Sequence, residues 1–248
     1  MGLIDHSVVA QGEGAIRARI DQLKAEGVRM AVVDAVSNAD LLRLGPALKG
    51  MPLVTAGSGV AIGLPGNFGV APCNEAARLP AAQGLQAIVS GSCSVATNQQ
   101  VMDFIKAGKP ALAIHPLRIA AGVDVAAEAL AWAEGHIGQG PVLVYSTAEP
   151  SAVRAIQGKL GSEKAGAMVE ETIAAIARGL VQRGVRQLIV AGGETSGACV
   201  QALGVTQLRI GPQIDPGVPW CHAAVPGLHL ALKSGNFGGT DFFSRAFG

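Results

Sequence analysis

Three short segments rich in glycine and serine have the composition of loops that bind phosphate groups. They are IVSGSCSVATNQQ (residues 88–100), IVAGGETSGACVQALG (189–204) and LALKSGNFGGTDFF (230–243). In each, an apolar run is followed directly by small polar residues and glycine. The first turn of a helix has unpaired backbone N–H groups and the positive end of the helix dipole, so it attracts anions. We call these segments the first, second and third loops, and expect each to bind an anion.

The first loop has three residues that suit a phosphate, Ser90, Gly91 and Ser92. The apolar run is expected to end at Val89. Serine hydroxyls can donate to phosphate oxygens, and Gly91 allows the backbone to approach a ligand closely. The alternative is an ordinary helix cap by Ser92 or Ser94, because serine is a preferred N-cap residue.

The second loop carries the stronger signal. Gly192 and Gly193 permit positive φ and close contact with a ligand, and Thr195 and Ser196 can donate hydrogen bonds to phosphate oxygens. Glu194 suits a ribose hydroxyl, a Mg²⁺ ion or the first turn of a helix better than a bare phosphate. The alternative is a tight strand-to-helix turn that binds no ligand.

The third loop begins with Lys233, which can pair with a phosphate, while Gly235 and Asn236 can pass over a nucleotide. Asp241 can cap the last helix or contact a metal ion through water. The alternative is a flexible turn before a terminal helix.

The pattern of apolar runs and amphipathic stretches predicts an α/β fold: a mostly parallel sheet flanked by helices, with a mixed or antiparallel C-terminal edge. Ligands of such sheets bind beyond the carboxyl ends of the strands, where all three loops are expected. The spacing of Ile16, Ile20 and Leu23 predicts a first helix, and a short helix is expected at 240–247. The predicted strands before residue 204 are 30–36, 52–57, 85–91, 110–115, 141–146 and 187–193.

Composition narrows the functional class. The chain has 248 residues, of which 49% are hydrophobic and 15% charged, with a formal net charge of +1. The sequence has no stripe of basic residues, so nucleic-acid binding is not predicted. No apolar run is long enough for a membrane span, and no secretion signal is evident, so a cytoplasmic location is expected. The four cysteines lack metal-site or C-x-x-C spacing and are expected to be free thiols.

Several sharper motifs are absent from the sequence. It contains neither the P-loop pattern G-x-x-x-x-G-K-[ST] nor the hydrolase pattern G-x-S-x-G. GSGVAIG (57–63) resembles a dinucleotide fingerprint, but its spacing is wrong. The histidines show no metal-ligand spacing, and no metal-ligating residue is predicted.

Taken together, SGSCSVATNQQ, AGGETSGACVQALG, LRIGPQIDPGVPW and LALKSGNFGGTDFF resemble the four-carbon acid sugar kinase family, which includes 3-oxo-tetronate and threonate kinases. The resemblance implies an ATP-binding C-terminal domain, with Ser90 or Ser92, the turn from Gly192 to Thr195, and Gly235 around the nucleotide. It also implies a sugar acid as the second substrate and Mg²⁺ to shield the phosphates.

The N-terminal part departs from this family, because the Asp-Asp-x-Thr-Gly motif that usually opens its sugar-binding domain is missing. Residues 1–75 are predicted to be the closing part of a sugar-binding domain, and residues 85–248 the nucleotide-binding domain. The expected partners are ATP and a small sugar acid, together with a homo-oligomer or a missing N-terminal domain. Two alternatives stay open: an ATP-binding module without catalysis of its own, and an α/β scaffold that binds no nucleotide.

Overall fold

The chain forms two compact units. The computed structural model describes residues 1–146, 158 and 161–248. The first unit comprises Met1–Cys73 and the second Asn74–Gly248. No helix among the described residues is both long and apolar enough to cross a membrane.

The first unit is a small α/β arrangement whose described strands form one two-stranded parallel sheet. Its elements are β1 (Gly2–Ile4), α1 (His6–Ala10), α2 (Glu13–Ala25), β2 (Ala31–Val33) and α3 (Asn38–Ala47), followed by 3₁₀ turns at Ser58–Ile62 and Pro65–Phe68. In α2, Ile16 and Leu23 are buried, as the helical spacing predicted. They share a core with Ile4, Val9 and Leu44.

The strand predicted at 52–57 is wrong, since these residues form no strand in the structure. Leu53 is 77% exposed and Val54 is 37% exposed. A strand requires a neighbour that accepts and donates its backbone hydrogen bonds, and an apolar run cannot supply one by itself.

The second unit contains the larger sheet. Its elements in chain order are a 3₁₀ turn (Asn74–Ala77), β3 (Leu85–Ser90), α4 (Val95–Lys106), β4 (Ala111–Ala113), α5 (Pro116–Ala120), α6 (Val125–Glu134), a 3₁₀ turn (Ile137–Gln139), β5 (Val142–Tyr145), α7 (Ser162–Gln182), β6 (Val185–Ala191), α8 (Gly193–Ala202), β7 (Arg209–Asp215), β8 (Val218–Ala223), β9 (Leu228–Lys233) and α9 (Phe242–Arg245). The expected strand end at Val89 is therefore one residue short.

Within the described residues this sheet has seven strands in the order β4-β5-β3-β6-β9-β8-β7. The first five are mutually parallel, while β8 and β7 are antiparallel to their neighbours. The predicted α/β class, the parallel sheet and the antiparallel C-terminal edge are confirmed.

Helices cover both faces of the central strands, which explains the continuous apolar runs within those strands. One face packs against α6, α7 and α8 around residues such as Val89, Ile176 and Leu188. The other packs against α4 and α9 around residues such as Phe104 and Phe242.

The residues just before β3 contact the sheet of the second unit, to which they belong. His229 Nε2 lies 3.0 Å from the Pro80 carbonyl oxygen, and Arg209 Nη2 donates to the Glu75 carbonyl at 3.1 Å. The sequence pattern predicted a boundary within 64–84, because this stretch is rich in Pro, Gly and Ala and has weak periodicity. The long-range contacts of Arg209 and His229 attach its last part, at Glu75 and Pro80, to the sheet.

Candidate functional site

The three loops lie side by side, because they follow three neighbouring parallel strands. Ser90 at the end of β3 pairs with Ala191 at the end of β6, and Ala191 pairs with Lys233 at the end of β9. The backbone N–H groups of Gly91 and Ser92 both donate to the Ala191 carbonyl, at 3.0 and 3.2 Å. The loops that the sequence singled out therefore converge on one edge of the sheet.

The second loop presents the open helix N-terminus of this edge. Gly192 has φ +126°, a conformation that favours glycine, and its carbonyl accepts the first helical bond of α8 from the Ser196 N–H at 2.9 Å. No side chain in the described part of the chain caps this N-terminus. Gly193 is exposed, and a methyl group built on it meets no described atom within 4 Å. The first amides of α8 thus lack a side-chain cap among the described residues, an arrangement that suits an anion.

The hydroxyls predicted as phosphate donors in this loop are used inside the protein. Ser196 Oγ donates to the Gly192 carbonyl at 2.6 Å. Thr195 is buried, with 2% of its surface exposed, and its Oγ1 donates to Glu170 Oε1 at 3.3 Å. Glu194 is exposed in the first turn of α8. The backbone of this loop, more than its hydroxyls, is available to a ligand.

Glu170 on α7 lies beside the second loop, and the sequence analysis did not select it. Burial raises the pKa of its carboxyl, and the nearby Glu194 carboxylate raises it further, while the Thr195 hydroxyl opposes both. Glu170 is 24 residues before Glu194, in α7, where the sequence pattern is dominated by the apolar face of the helix. No local sequence signal therefore indicated that its carboxyl lies near the second loop.

The first loop is mainly a packing junction. Ser90 is fully buried in β3, and a methyl group built on Gly91 would collide with Thr195 Oγ1. Ser94 caps α4 by accepting from the Thr97 N–H at 3.2 Å, so the cap alternative is confirmed for Ser94. Ser92 Oγ lies 3.3 Å from Ser94 Oγ. Gly91 is thus needed where the first and second loops touch.

The start of the third loop is fastened to the first loop through the carbonyl group of Gly235. The Gly235 oxygen accepts from Ser94 Oγ at 2.5 Å, from Thr97 Oγ1 at 2.9 Å and from Lys233 Nζ at 3.0 Å. A methyl group built on Gly235 would lie 2.7 Å from Ser92 Oγ. Gly235 is therefore a close-approach position between the two loops.

Lys233 differs from its predicted orientation toward a ligand. Its side chain is fully buried, and its Nζ also donates to Thr97 Oγ1 at 3.0 Å and to the Ser234 carbonyl at 3.2 Å. Burial lowers the pKa of Lys233 to about 8. Its side chain points to the face of the sheet that carries α4, where it reaches Thr97, and this orientation could not be predicted from its position after an apolar run.

The far end of the third loop depends on a glutamine that the sequence analysis did not select. Gln100 Nε2 lies 3.0 Å from each of the carbonyl oxygens of Phe237, Gly238 and Gly239, and Gln100 Oε1 has no partner among the described residues. Asn236, between these fastened ends, is exposed. The loop is thus held at both ends on α4, with its middle facing outward.

Asp241 makes no cap hydrogen bond to α9; instead its Oδ2 lies 3.5 Å from Arg245 Nε. Asp215 Oδ2 accepts from the Gly239 N–H at 2.8 Å and pairs with Arg245 Nη2 at 2.7 Å. Among the described residues, no three His, Cys, Asp or Glu side chains are grouped closely enough to hold a metal ion.

A parallel α/β sheet whose glycine turns lead to an open helix N-terminus defines the class of phosphate- and nucleotide-binding α/β domains. Comparison with known families agrees: residues 87–243 match the family described as a nucleotide-binding C-terminal domain. Residues 1–64 match the family described as a sugar-binding N-terminal domain. The chain belongs to the four-carbon acid sugar kinase family, as the sequence motifs predicted.

Curated relatives carry a more specific name. The chain is 53% identical over 252 residues to the 3-oxo-tetronate kinase of Cupriavidus necator, covering 99% of this chain and 58% of that protein. It is 51% identical over 252 residues to the 3-oxo-tetronate kinase of Pseudomonas fluorescens, covering 100% of this chain and 58% of the relative. The chain therefore spans 58% of the length of these two relatives.

A solved structure shares the fold. The crystal structure of a Haemophilus influenzae protein superposes with a TM-score of 0.73 at 38% sequence identity, over 99% of this chain and 60% of that one.

Proposed function

We propose that this chain supplies the nucleotide-binding half of an ATP-dependent kinase that phosphorylates a four-carbon sugar acid of the 3-oxo-tetronate or threonate type. The observation that carries the proposal is the open N-terminus of α8, between two loops fastened to the same sheet edge. Members of the family named 3-oxo-tetronate kinase support the substrate class.

The nucleotide would lie with its phosphates at the amides of residues 193–195. Free N–H groups and the helix dipole stabilise a phosphate charge there, and the absence of a side chain at Gly193 leaves room for it. The exposed Asn236 side chain of the third loop would contact the nucleotide. A divalent cation, which we propose to be Mg²⁺, would accompany ATP and neutralise part of the phosphate charge.

The reaction joins a hydroxyl oxygen of the sugar acid to the γ-phosphorus of ATP. The bond from that phosphorus to the β–γ bridging oxygen breaks, ADP leaves with the electron pair, and the hydroxyl proton passes to a base. We assign that base to no residue. Catalysis by such enzymes rests mainly on positioning and electrostatic stabilisation, and the helix N-terminus would provide part of both.

The sugar acid would bind the first unit, in keeping with its match to a sugar-binding domain. A homo-oligomer would complete the acceptor site. We expect the enzyme to act in the cytoplasm, where ATP is available.

The alternative is an ATP-binding module without catalysis of its own. A coupled assay of ADP formation with threonate and 3-oxo-tetronate, run beside calorimetric titration with ATP, separates the two. Turnover that depends on the sugar acid supports the kinase, and saturable ATP binding without turnover supports the module. No ATP binding at millimolar concentration contradicts both.

The site is tested by Gly193→Ala, which adds one methyl group to the first turn of α8. Gly14→Ala is the matched control, because Gly14 is an exposed glycine in the first turn of α2 with equally open surroundings. We expect Gly193→Ala to weaken ATP binding at least about tenfold through loss of close phosphate approach, and Gly14→Ala to leave it unchanged. Equal ATP affinity in both variants would exclude this helix terminus as the phosphate site.

A further inference from the structure

Lys233 lies where the three loops meet, yet its ammonium group points into the protein. The side chain is fully buried. Its Nζ donates to Thr97 Oγ1 at 3.0 Å, to the Ser234 carbonyl at 3.2 Å and to the Gly235 carbonyl at 3.0 Å. An ammonium group has three N–H bonds. All three therefore have acceptors within the protein, and none is left for a phosphate.

The acceptors of Lys233 are the atoms that join the third loop to α4. Thr97 is also fully buried, and its hydroxyl donates onward to the Gly235 carbonyl at 2.9 Å. The ammonium and the hydroxyl thus hold the same carbonyl from two elements that are 136 residues apart in the chain. Hydrogen bonds to a charged donor are about twice as strong as neutral ones, so this junction is a strong attachment of the loop.

We propose that Lys233, acting with Thr97, is a positioning residue for the nucleotide. The buried ammonium fixes the start of the 234–239 loop against α4, and the loop is thereby held in the conformation that receives ATP. This inference rests on the proposed function, because it assumes that the loop lies over a nucleotide. It assigns Lys233 no contact with ATP.

The competing arrangement is a direct ion pair between Lys233 and a phosphate, formed when the side chain leaves its pocket. Thr97 separates the two arrangements, because Thr97→Val keeps the ammonium but removes the hydroxyl that it holds. Positioning predicts that Thr97→Val behaves like Lys233→Met. A direct ion pair predicts that only Lys233→Met loses affinity, since a valine leaves the ammonium free to reach the phosphate.

The experiment is calorimetric titration of the full chain with ATP and Mg²⁺. We expect Lys233→Met and Thr97→Val each to weaken ATP binding about tenfold or more. The double variant should bind ATP with the same affinity as the weaker-binding single variant, because the two groups act as one unit. Thr97→Ser keeps the hydroxyl and should bind as the natural chain does. Lys106→Met, at an exposed position in the last turn of α4, should also bind normally.

Amide hydrogen exchange without nucleotide provides a readout that general loss of stability would not reproduce. Lys233→Met and Thr97→Val should accelerate exchange selectively at residues 234–239, while the central strands keep their protection. If Lys233→Met does not fold, the comparison of Thr97→Val with Thr97→Ser carries the test.

Three results would overturn the inference. They are unchanged ATP affinity in Lys233→Met, unchanged affinity in Thr97→Val, or exchange that rises uniformly instead of in the loop. Failure of the natural chain to bind ATP would be a different outcome, because it would remove the proposed function and with it the nucleotide that Lys233 is proposed to position.

Discussion

The Thr195 hydroxyl donates to Glu170 Oε1 across 3.3 Å, linking the turn after β6 to the middle of α7. Thr195 is buried, and its Oγ1 is also the atom nearest to a methyl group built on Gly91 or Gly192. The hydroxyl therefore sits where the first loop, the second loop and the long helix meet. The geometry of the open α8 N-terminus depends on this junction.

Thr195→Val should destabilise the protein by about 1–3 kcal/mol, because the Glu170 carboxylate loses its hydroxyl donor in partly buried surroundings. The free energy of unfolding from urea titration measures the effect. Thr195→Ser keeps the donor and serves as the control. If the valine and serine variants were equally stable, the hydrogen bond would not contribute to stability.

Glu170→Gln should gain stability relative to the natural chain as the pH rises. Burial and Glu194 raise the Glu170 pKa above its ordinary 4.5 in the folded state. The folded state then binds the proton more tightly than the unfolded one, so the natural chain loses stability as pH rises from 4.5 through the folded pKa, and the deficit persists above it. Melting temperatures of both proteins at pH 4 and pH 7.5 test this. A difference between the proteins that does not change with pH would contradict the assignment.

Gly91→Ala should destabilise the protein by about 1–3 kcal/mol, because the added methyl group has to displace Thr195 Oγ1 and lies 3.2 Å from Ile173 Cδ1. A methyl group on Gly193 meets no described atom within 4 Å. Gly193→Ala should therefore leave the stability of the protein unchanged or slightly raised. Thermal unfolding of the two variants makes the comparison. Similar stability in both would mean that the first and second loops are not packed as closely as described.

Lys233 should make the stability of the natural chain rise at alkaline pH. Burial lowers its pKa from 10.5 to about 8, so between these values the unfolded state binds more protons and stability increases with pH. The cost of the buried charge is fully present below pH 8. Relative to Lys233→Met, the natural chain should gain about 2 kcal/mol between pH 7 and pH 9.5. Urea unfolding at the two pH values measures this gain, and a loss would have the wrong sign.

The parallel part of the fold was predictable from sequence, because β3, β5 and β6 are buried on both faces and so have no polar side to disguise their apolar runs. The loops after β3 and β6 were predictable for the same reason, since small residues directly after such a run lie at the sheet edge. What failed was the run at 52–57, where apolar character was not matched by a pairing strand.

Side-chain direction within the candidate site was not predictable. Lys233, Thr195 and Ser196 have the chemistry of phosphate ligands, but each is satisfied by an acceptor inside the protein. Glu170 and Gln100 approach the loops from helices that are distant in sequence or patterned mainly by their apolar face. Such contacts depend on tertiary packing and carry no local sequence signal.

The central claim is that the second and third loops together hold the phosphates and body of one ATP molecule. Amide hydrogen exchange of the natural chain, with and without ATP and Mg²⁺, tests it most directly, because no side chain in the described ranges caps the first amides of α8. We predict that ATP protects residues 193–195 and 234–239 together, at one saturable concentration. Protection of neither segment at millimolar ATP would contradict the account.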